Sequence, residues 1–218
     1  MPAKRTSGSE TPGRTRGRPA LSASQVADMR SHISGCALKL FQEFGYGAVS
    51  MRRLADEAGC TPMTIYRYFE GKIDILRALW AEVFTELFDG LDQVAAAEPD
   101  PFERLNAVAL GYVVYWQEHR EHYFMVFMSS GITDADVSLF VGGDPIVSRF
   151  NLFRECLAAA LAPGTAPEDV ELRGQLLLCL LNGIGKNLMT ISAYPWAPPK
   201  TLVRAAVATL VPSAGAAP

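Results

Sequence analysis

The chain is 218 residues long, enough to bury a sizeable core in one or two domains. Apolar residues make up 49% and charged residues 20%, the balance of a soluble globular protein. The net charge of −3 is unevenly spread: residues 1–77 carry 12 Lys and Arg against 7 Asp and Glu, a net of +5, and residues 78–218 carry 8 against 16, a net of −8. A basic front suits a polyanion and an acidic back repels one, so nucleic acid is not expected to wrap the whole molecule. The longest apolar run, 107–116, is too short for a membrane span, and no apolar signal core follows the basic N-terminus. Cys36, Cys60, Cys156 and Cys179 are scattered, without metal spacing or the density of a disulfide scaffold. The expected setting is therefore cytoplasmic, with four reduced thiols.

Residues 1–20 are rich in Gly, Pro, Ser, Thr, Arg and Lys and have too few large apolar residues to order themselves, so they read as a disordered basic arm. From residue 22 the apolar spacing is helical almost throughout, and the fold class is all-α. Ser22 with Gln25 predicts a capping box. Val26, Ile33, Ala37, Leu40, Phe41 and Phe44 form the stripe of a first helix that Gly45 ends. Ser50 caps a second helix, with Met51, Leu54, Ala55 and Ala58 inward and Gly59 as its stop. Thr61 caps a third, with Pro62 in its first turn, where no N–H is needed. Gly71 opens a long fourth helix through Ile73, Leu76, Trp80, Val83, Leu87 and Leu91, which "PDP" at 99–101 closes. Phe102, Leu105, Ala109, Tyr112, Trp116 and His119 mark a fifth helix, and 121–128 a short sixth. Residues 129–143 read as a loop, and further helices are expected at about 144–162, 168–190 and 199–211.

Two short helices joined by a turn containing Gly form the layout of a helix-turn-helix. Ala55 is small where the helices cross, Gly59 can take the left-handed conformation, and Ile65 faces the small core. With Ile65 and Phe69 turned inward, Thr61, Pro62, Met63, Thr64, Arg67 and Tyr68 are left outward or at the N-terminal end. A recognition helix meets base edges through its N-terminal residues. Thr hydroxyls bond bases or phosphates, and a Met or Thr methyl can touch thymine. Tyr66 is expected to pack its ring and offer its hydroxyl to a phosphate, with Lys72 a further phosphate contact. Arg16 and Arg18 in "RGRP" form a slim cationic peptide suited to a narrow minor groove.

The stretch from Leu21 to Leu76 resembles the DNA-binding domain of the TetR/AcrR family of bacterial transcriptional regulators. The resemblance rests on Phe41, Phe44-Gly45-Tyr46, Ser50, Leu54-Ala55, Ala58-Gly59, Thr61, Thr64, Tyr66, Tyr68-Phe69, Lys72 and Leu76. It implies an Ω-shaped homodimer that binds a palindromic operator, usually as a repressor, and it implies DNA contacts at Ser50, Thr61, Thr64, Tyr66, Tyr68 and Lys72. Met63 stands where the family usually has Gly, Pro62 where a basic residue is frequent, and Val49 replaces a common Thr. These departures bear on which operator is read. Arg67 or Arg52 can offset the missing charge at position 62.

The expected organisation is an arm over 1–20, a helix-turn-helix domain over 21–77 and an effector-binding and dimerisation domain over 78–212. In that second domain Phe84, Phe88, Tyr112, Trp116, His119, Tyr123 and Phe127 crowd neighbouring helices, many with polar tips. Plain core packing is the simpler reading of each. As a group, with Asn182, they suggest a largely apolar site for a small-molecule effector. The 168–190 helix is apolar nearly all round and needs cover on two sides. Leu177, Leu181, Ile184 and Leu188, with Leu202, Ala206 and Leu210 of the last helix, are the expected dimer face. An effector-independent architectural DNA-binding protein is the alternative. An enzyme is disfavoured: His119 and His122 lie one helical turn apart beside Glu118 and Glu121, but "EHREH" matches no metalloprotease pattern, and no nucleophile elbow, phosphate loop or Cys cluster accompanies it. No catalytic residue, metal or cofactor is expected.

Overall fold

The computed structural model describes residues 22–128, 132–133, 137–138, 142 and 145–211. Arg16, Arg18 and the rest of the basic arm lie outside the described residues, as does most of 129–143. Among the described residues there are nine α-helices and no strand. They are α1 (Ala23–Phe44), α2 (Met51–Glu57), α3 (Pro62–Tyr66), α4 (Lys72–Ala97), α5 (Pro101–Glu118), α6 (Arg120–Phe127), α7 (Asn151–Ala160), α8 (Pro167–Thr190) and α9 (Pro199–Leu210). Short 3-10 turns occupy Tyr46–Ala48 and Pro145–Phe150.

The helix starts follow local chemistry. Ser22 Oγ accepts from the Gln25 backbone N–H while the Gln25 side chain accepts from the Ser22 N–H, closing a capping box. Ser50, Thr61 and Asp100 cap α2, α3 and α5 through their side-chain oxygens. Gly59 ends the α2 unit with φ +64, the left-handed region that a side chain resists. Proline stands in the first turn of α3, α5, α8 and α9, where its missing N–H would have had no partner.

Ile33, Ala37, Leu40 and Phe41 of α1 meet Leu54, Ala55, Ile65 and Phe69 in the core of the first domain. Ala55 is fully buried at the α2–α3 crossing. Phe44, expected inward, lies instead at the surface, where the Arg53 guanidinium covers its ring at 3.5 Å. Chain reversal at Gly45 turns the last side chain of α1 past the edge of the core. α4 belongs to both halves: Ile75, Leu76 and Leu79 pack near α1, and Trp80 to Leu91 run into the second domain. A helix of 26 residues spans about 39 Å, so it can join the two rigidly.

In the second domain α5 runs through the middle and packs on α4, α7, α8 and α9. A side chain at Gly111 would place its Cβ 2.9 Å from Leu91 Cδ2, so glycine here permits the close approach of α5 to α4. The expected helix over 144–162 begins as the 3-10 turn before becoming α7. Arg149 in that turn reaches Asp89 at 2.7 Å and Asp92 at 2.5 Å on α4. That double ion pair holds the segment against α4 more closely than periodicity alone indicated.

Candidate nucleic-acid interface

The recognition helix α3 is five residues long, and its exposed side carries Pro62, Met63, Tyr66 and Arg67. Met63 is 73% exposed and Tyr66 51%, large side chains open to solvent beside the α3 N-terminus. Thr61 Oγ1 accepts from the Thr64 N–H at 3.1 Å, and the two threonine hydroxyls lie 2.9 Å apart. Ser50 and Arg52 at the start of α2 are exposed, and the Ser50 hydroxyl accepts from the Arg53 N–H at 3.2 Å. The first-turn N–H groups of two helices thus accompany hydroxyls, two arginines and a thioether, a set able to meet phosphates and base edges.

Three of the expected contact residues have neighbours within the chain. Tyr66 is 51% exposed, so about half of it is covered by the chain. Tyr68 is half-buried against the core, and its carbonyl accepts from the Arg30 guanidinium, which also lies 4.1 Å over the Phe69 ring. Lys72 is half-buried: its ammonium donates to the Tyr46 carbonyl at 2.7 Å and sits 4.1 Å over the Tyr46 ring. It fastens the start of α4 to the turn after α1. Sequence reasoning did not single out Arg53 and Arg30, since their roles depend on what lies beside them in space.

The aromatic set of the second domain does come together, but as a packed core. Phe84, Phe88, Tyr112, Trp116 and Tyr123 are buried. Their rings meet largely edge to face, with Phe88–Phe150 at 4.8 Å, Tyr112–Phe153 at 5.4 Å and Tyr112–Trp116 at 5.9 Å. In this conformation the rings interdigitate where a pocket was expected, because neighbours from the 3-10 turn and α7 fill the space. Phe127 is partly exposed although its ring touches Trp116 and Tyr123. Asn182 does join the cluster, its Oδ1 accepting from the Tyr112 hydroxyl at 2.8 Å. Burial pushes that hydroxyl well above the ordinary tyrosine range. Trp116 Nε1 is buried without completing a hydrogen bond of its own, although it lies close enough to favour the Tyr112 phenolate slightly. His119 is not in the cluster. It sits at the corner between α5 and α6, stacked on Tyr115 and His122 at 4.5 and 5.2 Å. Burial lowers the His122 pKa below the ordinary histidine value, which favours the neutral ring.

A cavity of about 510 Å³ lies elsewhere, between α1 and α6, lined by Phe41, Gln42, Gly45, Glu121, Phe124, Met125 and Met128. No sequence signal marked it, since its two walls are far apart in the chain.

The residues expected at a dimer face differ in how far they are buried within the subunit. Leu177 and Leu181 are fully buried and Leu210 nearly so, within the subunit's own core. Ile184, Leu188, Leu202 and Ala206 are only partly exposed. The open apolar stripe of α8 is Leu172, Leu176 and Leu180, at 55, 45 and 38% exposure. The two stripes differ by about 100° around the helix, and both are apolar, so periodicity could not say which faces inward.

Residues 36–79 match the family described as bacterial regulatory proteins, tetR family. Over those residues the chain is similar to the TetR family. Over 79 residues it is 34% identical to the HTH-type transcriptional repressor KstR of Mycobacterium tuberculosis, covering 36% of each chain. It is 23% identical over 111 residues to the HTH-type transcriptional activator FasR of Mycolicibacterium smegmatis, covering 51% of each. The matched segment therefore spans about a third to a half of the length of these curated relatives. The fold of the chain resembles that of the transcriptional regulator FadR from Bacillus subtilis in complex with stearoyl-CoA, with a TM-score of 0.68 at 18% identity over 84% of this chain and 97% of that one. The TetR-family regulator PfmR from Thermus thermophilus follows with 0.58 at 23% identity, over 84% and 95%. Among the described residues no helix is long and apolar enough to cross a membrane.

Proposed function

We propose that this chain is a ligand-responsive transcriptional repressor of the TetR family that binds a palindromic operator as a homodimer. The observation that carries the reading is the exposed face of α3, with Met63 and Tyr66 standing free beside the capped ends of α2 and α3. Ser50, Arg52, Thr61, Pro62, Met63, Thr64 and Arg67 supply the DNA surface. Lys72 and Tyr68 act behind it, holding α3 and α4 in place. Arg16 and Arg18 serve as a minor-groove clamp from the arm. Two recognition helices one DNA turn apart, about 34 Å, read the two half-sites.

The dimer forms through the exposed Leu172, Leu176 and Leu180 of α8, with the open side of α9 completing a four-helix contact. The effector is a small, largely apolar molecule. FadR of Bacillus subtilis, of similar fold, is described with stearoyl-CoA, which fits an apolar acyl ligand here. Such a ligand has to part the rings around Tyr112 and Trp116, and the buried Tyr112–Asn182 pair offers it polar anchors. It releases DNA only by binding better to the conformation with the wrong helix spacing.

The test is selection of genomic fragments by the purified protein at about physiological salt, since low salt inflates non-specific binding. An enriched palindrome whose binding an acyl compound abolishes is the expected result. Binding without sequence preference would instead indicate an architectural DNA-binding protein.

A further inference from the structure

The chain turns from α5 to α6 on His119, which ends one helix and begins the next with φ −114° and ψ 60°. The turn gathers His119, Glu121 and His122, and one ligand-capable atom from each lies within 4.8 Å of the other two. The two imidazole rings are parallel to within 8°.

Each ring also has a polar neighbour beside it. His119 Nε2 faces Glu86 Oε1 of α4 at 3.9 Å, and its Nδ1 faces Glu121 Oε1 at 3.9 Å. The Tyr115 hydroxyl can donate to the Val83 carbonyl at 3.3 Å. Its 3.0 Å contact with His122 Nδ1 suits the tautomer that carries its proton on Nδ1, in which the lone pair is on Nε2. An imidazole whose far N–H is fixed by a carboxylate or hydroxyl is the arrangement that orients a metal-binding histidine.

The geometry points to a binding site for one divalent first-row transition ion of the Zn²⁺ class, held by His119 Nδ1, His122 Nε2 and the Glu121 carboxylate, with Glu86 and Tyr115 positioning the two rings. Two nitrogens and a carboxylate suit zinc, cobalt or nickel, whereas calcium and magnesium require mostly oxygen ligands. Tetrahedral bonds near 2.1 Å place ligand atoms roughly 3.4 Å apart, so the trio, now within 4.8 Å, has to close by up to about 1.4 Å. The Glu121 side chain is half exposed and that of His119 a third exposed, which leaves both free to make that movement. The spacing in "EHREH" fits no catalytic pattern, but an ion that fastens two helices needs none.

Glu121 also lines the cavity between α6 and α1. An ion at this corner would fix α6 between α4 and the first domain, and so change DNA affinity. That consequence rests on the regulatory reading, whereas the binding of the ion does not.

The experiment titrates the chelator-stripped full chain with Zn²⁺ against a chromophoric competitor, without DNA. One ion per chain is expected. Glu121→Gln weakens it by about tenfold or more, and Tyr115→Phe, which removes only the positioning hydroxyl, by about tenfold. His119→Ala with His122→Ala abolishes binding, while His32→Ala leaves it unchanged. Circular dichroism establishes that each variant is folded, and Co²⁺ gives the visible bands of a four-coordinate site without thiolate charge transfer. Absent stoichiometric binding, binding that survives loss of both histidines, or a thiolate band overturns the site. In a separate arm, a Zn²⁺-dependent change in DNA affinity that Glu121→Gln removes supports the coupling, and an affinity indifferent to Zn²⁺ refutes it.

Discussion

Met63 and Tyr66 show how much one side chain can decide. Both are largely open to solvent, on the exposed side of a helix only five residues long. Tyr66→Ala is expected to weaken binding to every DNA sequence alike, through a lost backbone contact. Met63→Ala is expected to relax preference at one base position in each half-site, worth about 1–3 kcal/mol of discrimination. Affinity measured over a panel of single-base operator variants separates the two, and equal loss of specificity would contradict these roles. Gly59 acts on the backbone instead. Space around its Cα is open, so Gly59→Ala meets only the strain of φ +64. Its stability in denaturant titration should fall by about 1 kcal/mol.

At the scale of elements, the Tyr112–Asn182 hydrogen bond ties α5 to α8 inside the apolar core. Tyr112→Phe leaves Asn182 without that donor, and unfolding free energy should drop by about 1–2 kcal/mol. A variant as stable as the parent would mean that the pair contributes nothing to the closed packing. Its visibility in the sequence was limited. The aromatic stripe of α5 was readable because its spacing is helical. That the rings would close on one another was not, since Phe150 and Phe153 approach from a distant part of the chain. The Lys72 and Tyr68 placements have the same origin: a side chain's outward register on its own helix says nothing about a carbonyl or ring supplied by another element.

For the whole molecule, the exposed stripe of α8 is the feature that most needs a partner. Leu176→Arg should convert a dimer to a monomer in sedimentation, and operator affinity should fall steeply because the two half-sites are no longer read together. Cys179 lies on the same exposed side of α8, whereas burial holds Cys156 inaccessible and pushes its thiol up. Alkylation followed by peptide mass analysis should therefore find Cys179 protected in the parent and modified in Leu176→Arg. Equal labelling in both would remove α8 from the interface.

Local chemistry alone determined the caps at Ser22, Ser50 and Thr61, the stop at Gly59, the all-α class and the helix-turn-helix, because each depends on residues within a turn or two of one another. Tertiary structure decided which of two leucine stripes on α8 faces inward, whether the aromatics enclose a space or fill it, and that Glu86, Tyr115, His119, Glu121 and His122 share one corner. Those outcomes depend on which surfaces meet, and helical periodicity records only that a surface is apolar.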